Sequence, residues 1–326
     1  LNSLSFPLNA KWKLLILLLA FFFFGFCVGV YLGYTRGIPF VGRRAIWSIG
    51  IYKGSSPFNL APYPGNPILT ADDVTDVKAR YVADPFMMRK NSTWYMFFEV
   101  FNDADGQGDI GLAISYDGVH WSYEGIVLDE PFHLSYPYVF RWKGRYYMIP
   151  ETGDACTVKL YEATDFPKKW VHVKDLIYGC YRDPSIFYYD GIWWMYAYSE
   201  PGILHLFYSH NLTGPWIEHP ESPIVKCNCN MARPAGRVIV FGEGILRYAQ
   251  DDSLRYGVQV RVFEIMKISP RKYEERELAE SPILGPSGSG WNADGMHHID
   301  LHRLDDGTWI ACADGYRFSL VFGLEY

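Results

Sequence analysis

The stretch RDPSIFYYDGIWWMYAYSE, residues 182–200, reads as two short strands around an Asp190-Gly191 turn. Asp183 stands at one open end and Glu200 at the other. Four related stretches occur along the chain: DPFMMRKNSTWYMFFE (84–99), YPYVFRWKGRYYMIPE (136–151), RPAGRVIVFGEGILRYAQD (233–251) and HHIDLHRLDDGTWIACAD (297–314). Pro85, Pro137, Pro184 and Pro234 mark the first four, spaced by 52, 47 and 50 residues. A second element recurs in phase, as NPILT (from Asn66), GIVLD (Gly125), DLIYG (Asp175), SPIVK (Ser222) and SPILG (Ser281). Between the two lies a third strand, such as GDIGLAIS (108–115) or ILHLFYS (203–209). Four strands per unit and five units predict an all-β, five-bladed β-propeller. The spare NPILT is expected to give the last unit its fourth strand and so close the ring.

The alternative to a propeller is a β-sandwich, and agreement of five units on two signatures argues against it. The motifs SYDGVHW (115–121) and LTGPW (212–216) each follow a third strand with a turn and a Trp, which is expected to pack between blades.

The N-terminus is of another kind. From Leu14 to Tyr34 the chain is uncharged and apolar, long enough for a helix to cross the hydrocarbon core and longer than the apolar region of a cleaved signal. Lys11 and Lys13 precede this run while Arg36, Arg43 and Arg44 follow it, so flanking charge does not orient it. The sequons at Asn91 and Asn211 favour a lumenal propeller, hence a type II protein. The expected organisation is a cytoplasmic tail (1–13), an anchor (14–34), a stem and entry segment (35–66, with 45–52 packed on the propeller) and the propeller (67–326). The chain begins with Leu, as a fragment or processed form would, and no further domain is expected after the fifth unit.

Aromatic residues make up 17% of the chain, which suits both sheet packing and sugar-binding surfaces. A net charge of −6 without Lys/Arg runs argues against a nucleic-acid partner. The six cysteines have no zinc-type spacing, and one or two disulfides are compatible with the five outside the apolar run.

In a propeller the first strand of each blade starts, and the second ends, on the same face. Asp84 is thereby expected near Glu99, Tyr136 near Glu151, Asp183 near Glu200, Arg233 near Asp251, and His297 or His298 near Asp314. Converging carboxylates must be protonated, paired with cations such as Arg182, Arg233 or Arg237, or bound to a metal. One ionised and one protonated carboxyl group is also what glycoside hydrolysis requires. Against this, strand-end acids commonly serve as turn caps or ion-pair partners. No cofactor motif is present; a divalent cation in the funnel stays open, with MHHID (296–300) as a source of ligands or of sugar contacts.

With DP opening blades and GPW closing a third strand, the chain resembles the five-bladed propellers of glycoside hydrolase family 43. That resemblance implies Asp84 as catalytic base, Asp183 as the residue tuning the acid, and either Glu151 or Glu200 as the acid. The second unit has Ser135-Tyr136-Pro137 where an Asp would be expected. The segments SIGIYKGSSPF, DVKARYVADPF, LDEPFHLSYPYVF, YYMIPE and QVRVF are similar to the N-terminal domain of plant glucosamine inositolphosphorylceramide transferases. This implies a Golgi membrane setting, a glycan or glycolipid headgroup as ligand, and a glycosyltransferase as companion domain or partner.

Overall fold

Alternation of aromatic and β-branched residues between Gly-containing turns gives, among the described residues, twenty strands that hydrogen-bond into five four-stranded sheets. The computed structural model describes residues 10–36, 41–241 and 244–322. Two units are distinguished, one of residues 1–45 with 318–326 and one of residues 46–317.

The first unit contains helix α1 (Ala10–Arg36), whose segment Lys11–Gly29 is long and apolar enough to cross a membrane. A membrane anchor and a signal sequence both have this length and composition. Residues 1–9 of the expected cytoplasmic tail lie outside the described residues.

The second unit is the propeller. Strands β1 (Val41–Ser56) and β2 (Asn59–Pro62) come first in the chain. Blade 1 follows with β3 (Ala79–Lys90), β4 (Thr93–Asn102), β5 (Gln107–Ser115) and β6 (Ser122–Leu128). Blade 2 is β7 (Ser135–Trp142), β8 (Arg145–Glu151), β9 (Thr157–Asp165) and β10 (Lys169–Tyr178). Blade 3 is β11 (Arg182–Tyr189), β12 (Ile192–Ser199), β13 (Ile203–Ser209) and β14 (Ile217–Glu218), and blade 4 is β15 (Ile239–Phe241), β16 (Gly244–Asp251), β17 (Gln259–Ser269) and β18 (Lys272–Glu277). The fifth sheet runs β19 (Ile299–Arg303), β20 (Trp309–Phe322), β1, β2.

Ring closure therefore differs from the expected form. Both outer strands of blade 5 come from the start of the chain: residues 41–62 of the expected stem and entry segment, of which 45–52 was expected to pack on the propeller, are largely sheet. NPILT joins the same blade through an isolated bridge, with Ile49 N–H donating to Leu69 O (2.9 Å) and Ile68 N–H to Ile49 O (2.8 Å). The physical reason lies in AIWSIGIY: Trp47, Ile49 and Ile51 are buried and so are the intervening Ser48, Gly50 and Tyr52. A strand covered on both faces belongs inside a stack of sheets. Gly50 is required there, because a Cβ would come within 2.6 Å of the Trp291 ring.

Four apolar clusters fill the spaces between sheets; one joins Phe86, Leu112, Tyr138, Met148 and Met195 of blades 1 to 3. The turn tryptophans behave as expected. Trp121 and Trp216 pack at the edges of such clusters, and their indole N–H groups donate to Gly118 O and Leu212 O, each at 3.2 Å. Trp170, bonded to Pro167 O at 2.8 Å, is a third example.

Candidate functional site at the axial face

Blades 1, 2 and 3 share one local device at the start of the innermost strand. Asp84, Tyr136 and Asp183 have φ of 51°, 47° and 49°, each precedes a proline, and each lies in a register shift against the second strand. A bulge with a left-handed, non-glycine residue is strained by about 1 kcal/mol or more and turns the side chain out of the regular alternation. Three equivalent bulges aim three side chains at the axis. All three are buried.

The second strands complete the arrangement. Glu99 faces Ala83 and Glu151 faces Ser135, so these two glutamates are true equivalents. In blade 3 the same position, opposite Arg182, is Tyr198. Glu200 lies beyond it, exposed, and accepts a bond from its own neighbour Tyr198 Oη (3.2 Å). The expected pairing of Asp183 with Glu200 is thus corrected: the glutamates at this position are Glu99 and Glu151, and of the two alternatives Glu151 and Glu200 it is Glu151 that lies among the acids.

Asp84, Glu99 and Glu151 lie close enough to one another and to Asp183 that neighbouring negative charge raises the proton affinity of all three. Burial, reinforced by Asp314 and Asp183 and opposed by His297, pushes the Asp84 carboxyl up to about 8. Burial and then Asp183 push Glu151 up to about 7, against the pull of Arg233 and Arg182. Burial and then Asp84 push Glu99 well above the usual range. Asp183 is compensated differently: its Oδ2 accepts from Arg233 Nε (2.5 Å) and Gln250 Nε2 (3.0 Å). Glu151 accepts from Ser135 Oγ (3.2 Å) and Arg182 Nη1 (3.1 Å), and Glu99 from Tyr81 Oη (3.2 Å).

Blade 5 contributes a second layer of charge. Asp314 Oδ1 takes His297 Nδ1 (2.7 Å) and the His298 N–H (3.1 Å), and its Oδ2 takes the Asp84 N–H (2.9 Å). Burial opposes ionisation of Asp314, but His297 outweighs it and holds the carboxyl below its usual range. His297 in turn overcomes its own burial through Asp314 and rises to about 9. His298 falls to about 4 because it is buried, with Nε2 at 2.9 Å from Pro85 O. The Asp84 Oδ1 atom lies 3.7 Å from both His297 Nε2 and His298 Nδ1 and has no hydrogen-bond partner.

Asp84, His297 and Asp314 are spaced as ligands of a metal ion would be. The third member of that set was not apparent from MHHID alone. Asp314 is already saturated by N–H donors, so a cation would have to displace the bonds that order the two histidines.

Asp251 departs from its expected role. Its carboxylate is bound by Ser253, Gln259 and Arg261 within blade 4, at 2.6, 2.7 and 2.8 Å, as a local strand-end pair. The neighbouring Asp252 instead interacts electrostatically with Arg233 and His297, and burial raises its carboxyl. The signal missed was one position of register.

Below the acids the axis is closed by a polar plug. Arg237 Nε donates to Asp300 Oδ1 (2.7 Å) and its Nη2 to Val139 O (2.9 Å), linking blades 4, 5 and 2. Tyr136 Oη accepts the Gly236 N–H (2.6 Å) and bonds Ser185 Oγ (2.7 Å). A Cβ on Gly236 would overlap Ile299 O at 1.8 Å, so glycine is obligatory there. Trp47 packs against His297 at a tilt of 31° with centroids 4.2 Å apart, and Tyr256 covers Arg233 at 5.0 Å. Asn91 and Asn211 sit on exposed turns at the opposite ends of their blades, after β3 and after β13.

Comparison with known proteins agrees with this architecture. Residues 42–316 match the family described as "Glucosamine inositolphosphorylceramide transferase 1, N-terminal". The chain is 37% identical over 297 residues to glucosamine inositolphosphorylceramide transferase 1 of Oryza sativa subsp. japonica, covering 83% of this chain and 40% of that protein. It is 33% identical over 299 residues to the protein of that name in Arabidopsis thaliana, covering 84% and 39%. The chain thus spans about two fifths of the curated relatives it matches. Among solved structures, a family 117 glycoside hydrolase of Zobellia galactanivorans superposes with a TM-score of 0.50 at 16% identity, over 86% of this chain and 92% of that one. At such identity the likeness is one of fold. By sequence, the chain belongs to the glucosamine inositolphosphorylceramide transferase 1 N-terminal family.

Proposed function

We propose that the propeller is a carbohydrate-recognition module which receives a glycan or glycolipid headgroup at the acid-bearing face. The observation that carries this reading is the meeting of Asp84, Asp183, Glu99 and Glu151, from equivalent positions of three blades, on one face of the disc. Arg233, His297, His298 and Asp314 pack around these acids and Tyr136 lies at the third equivalent bulge, so that in this role they support the recognition face. The relatives are named as glucosamine inositolphosphorylceramide transferases, which supports a lipid-linked headgroup as ligand and a glycosyltransferase domain or partner as the setting. The apolar helix and two exposed sequons support a single-pass type II protein with the propeller in the lumen of the secretory pathway, and likeness to the plant transferases supports the Golgi as the compartment.

Recognition is favoured over hydrolysis by the charge state of the site. At neutral pH Asp84 keeps its proton, and Asp183 is neutralised by Arg233, so neither is a free base. A second reading, an inverting glycoside hydrolase, is favoured by one fact: Glu151, at about 7, is poised to act as an acid.

The experiment is glycan-array binding and aryl-glycoside hydrolysis by the full chain in detergent, with Asp84→Asn alongside. Recognition predicts binding without turnover, weakened by the substitution. Turnover abolished by Asp84→Asn would establish the second reading, and absence of both signals would remove both. Protease protection of membranes and a glycosidase-induced mass shift lost in Asn91→Gln and Asn211→Gln test the lumenal placement.

A further inference from the structure

A cavity of about 650 Å³ opens on the acid-bearing face among the loops of blades 1, 2 and 3. It is walled by Asp105, Gln107, Phe132, His133, Asp154 and Arg182. Two of these residues reach through the wall to the buried acids. Arg182 Nη1 is 3.1 Å from Glu151 Oε1, and His133 Nε2 is 3.7 Å from Glu99 Oε1. A molecule in the cavity is thus separated from both glutamates by one side chain.

The walls are held in place. His133 Nδ1 accepts the Gly108 N–H (2.9 Å), and Gln107 Nε2 donates to Glu130 O (2.7 Å). The Cys156–Cys180 disulfide ties the loop that carries Asp154 to the segment leading into Arg182. Such a preformed site loses little freedom when it binds.

The chemistry of the lining selects the ligand. Burial lowers His133, so it is neutral at pH 7, and two carboxylates then face one guanidinium. That balance disfavours phosphate and other anions. Phe132, half-buried against the core and with its ring centroid 6.0 Å from Lys159 Nζ, supplies with Pro131 the apolar part of an otherwise polar lining, which Gln107, Asp154 and Arg182 furnish with donors and acceptors. An apolar surface with a polar rim fits the apolar face and hydroxyl edge of an uncharged pyranose.

We propose that this cavity is a sugar subsite beside the axial acids, seating an uncharged pyranose against Phe132. The proposal rests on the carbohydrate-recognition reading and adds a position to it.

The test uses the full chain in detergent, an array of neutral glycans, and the strongest-binding glycan as titration probe. Phe132→Ala, Asp154→Asn and Glu151→Gln are compared with the parent, and thermal melting verifies that each is folded. Weakening by about tenfold or more in both Phe132→Ala and Asp154→Asn supports the subsite, being the loss of one ligand contact or hydrogen bond. Parent-like affinity in these two, with loss in Glu151→Gln, overturns the subsite and leaves recognition at the axis standing. Parent-like affinity in all three overturns it as well. Absence of glycan binding by the parent overturns both readings.

Discussion

Arg233 and Asp183 form a buried ion pair across two blades, with Arg233 Nε 2.5 Å from Asp183 Oδ2 and Gln250 completing the carboxylate's bonding. The aspartate is 1% exposed, so its charge depends on this partner. Arg233→Ala is expected to destabilise the fold by about 3–5 kcal/mol, because an uncompensated charge stays buried. Urea denaturation measures it. The double variant Arg233→Met with Asp183→Asn should recover most of that loss; equal loss in both would show that packing of the Arg233 stem, rather than charge, sets the effect.

Proton linkage gives a second expectation. The folded state raises Asp84 from 3.8 to about 8, Glu151 from 4.5 to about 7, and His297 from 6.5 to about 9. A group with a raised folded pKa contributes stability that is complete below its unfolded value and lost as pH rises through the folded one. All three therefore act in the same direction above pH 6.5. Melting temperature should fall between pH 7 and 9, chiefly through Asp84 and His297, and Glu151→Gln should alter the profile mainly below about pH 7, where that group loses its proton. A melting temperature that rises across this interval would contradict the assigned charge states.

The two glutamates that the sequence left as alternatives are expected to differ sharply. Glu151 is buried among the acids, whereas Glu200 is exposed and touches Tyr198. In glycan binding, Glu151→Gln should weaken affinity by about tenfold, the scale of one buried charged contact, while Glu200→Gln should match the parent. Stability of Glu200→Gln should stay within about 0.5 kcal/mol of the parent. The reverse ranking would relocate the site to the third blade.

Thiol labelling separates the cysteines by environment. Cys227 and Cys229 are exposed and free, while Cys312 is buried with its Sγ 3.0 Å from Pro85 O. Native labelling of the propeller should modify the first two, and Cys312 only after unfolding. Replacing Cys156 and Cys180 together by Ser should cost about 2–4 kcal/mol, measured by thermal or urea unfolding.

How much of this was legible in the sequence depended on range. Hairpins such as 84–99 and 182–200 were legible because each is complete within about twenty residues and carries its own turn. The third strand of blade 5 was not, because Val41–Ser56 pairs with residues more than 250 positions away and local pattern carries no address. Glu200 was misassigned by residue type: Asp84 to Glu99 and Tyr136 to Glu151 are each 15 positions, and 15 from Asp183 leads to Tyr198. The bulges that aim Asp84, Tyr136 and Asp183 inward had a visible marker, the proline after each. Arg237 was expected to pair with an acid, but its partner Asp300 had no marker, since an inward charge on an inner strand looks like any other alternating residue.

The composite fifth sheet also imposes an order of events. A ribosome releases β1 before any other strand of the propeller and β20 last. Until β20 appears, the apolar AIWSIGIY segment has no sheet to enter and must be shielded while four blades assemble. Completion of the disc is then a single late event that joins the earliest and latest synthesised parts of the propeller. A lesion in either strand would leave blades 1 to 4 formed yet expose β20 or β1 as an unpaired edge, so its signature in the cell would be aggregation of a nearly finished protein.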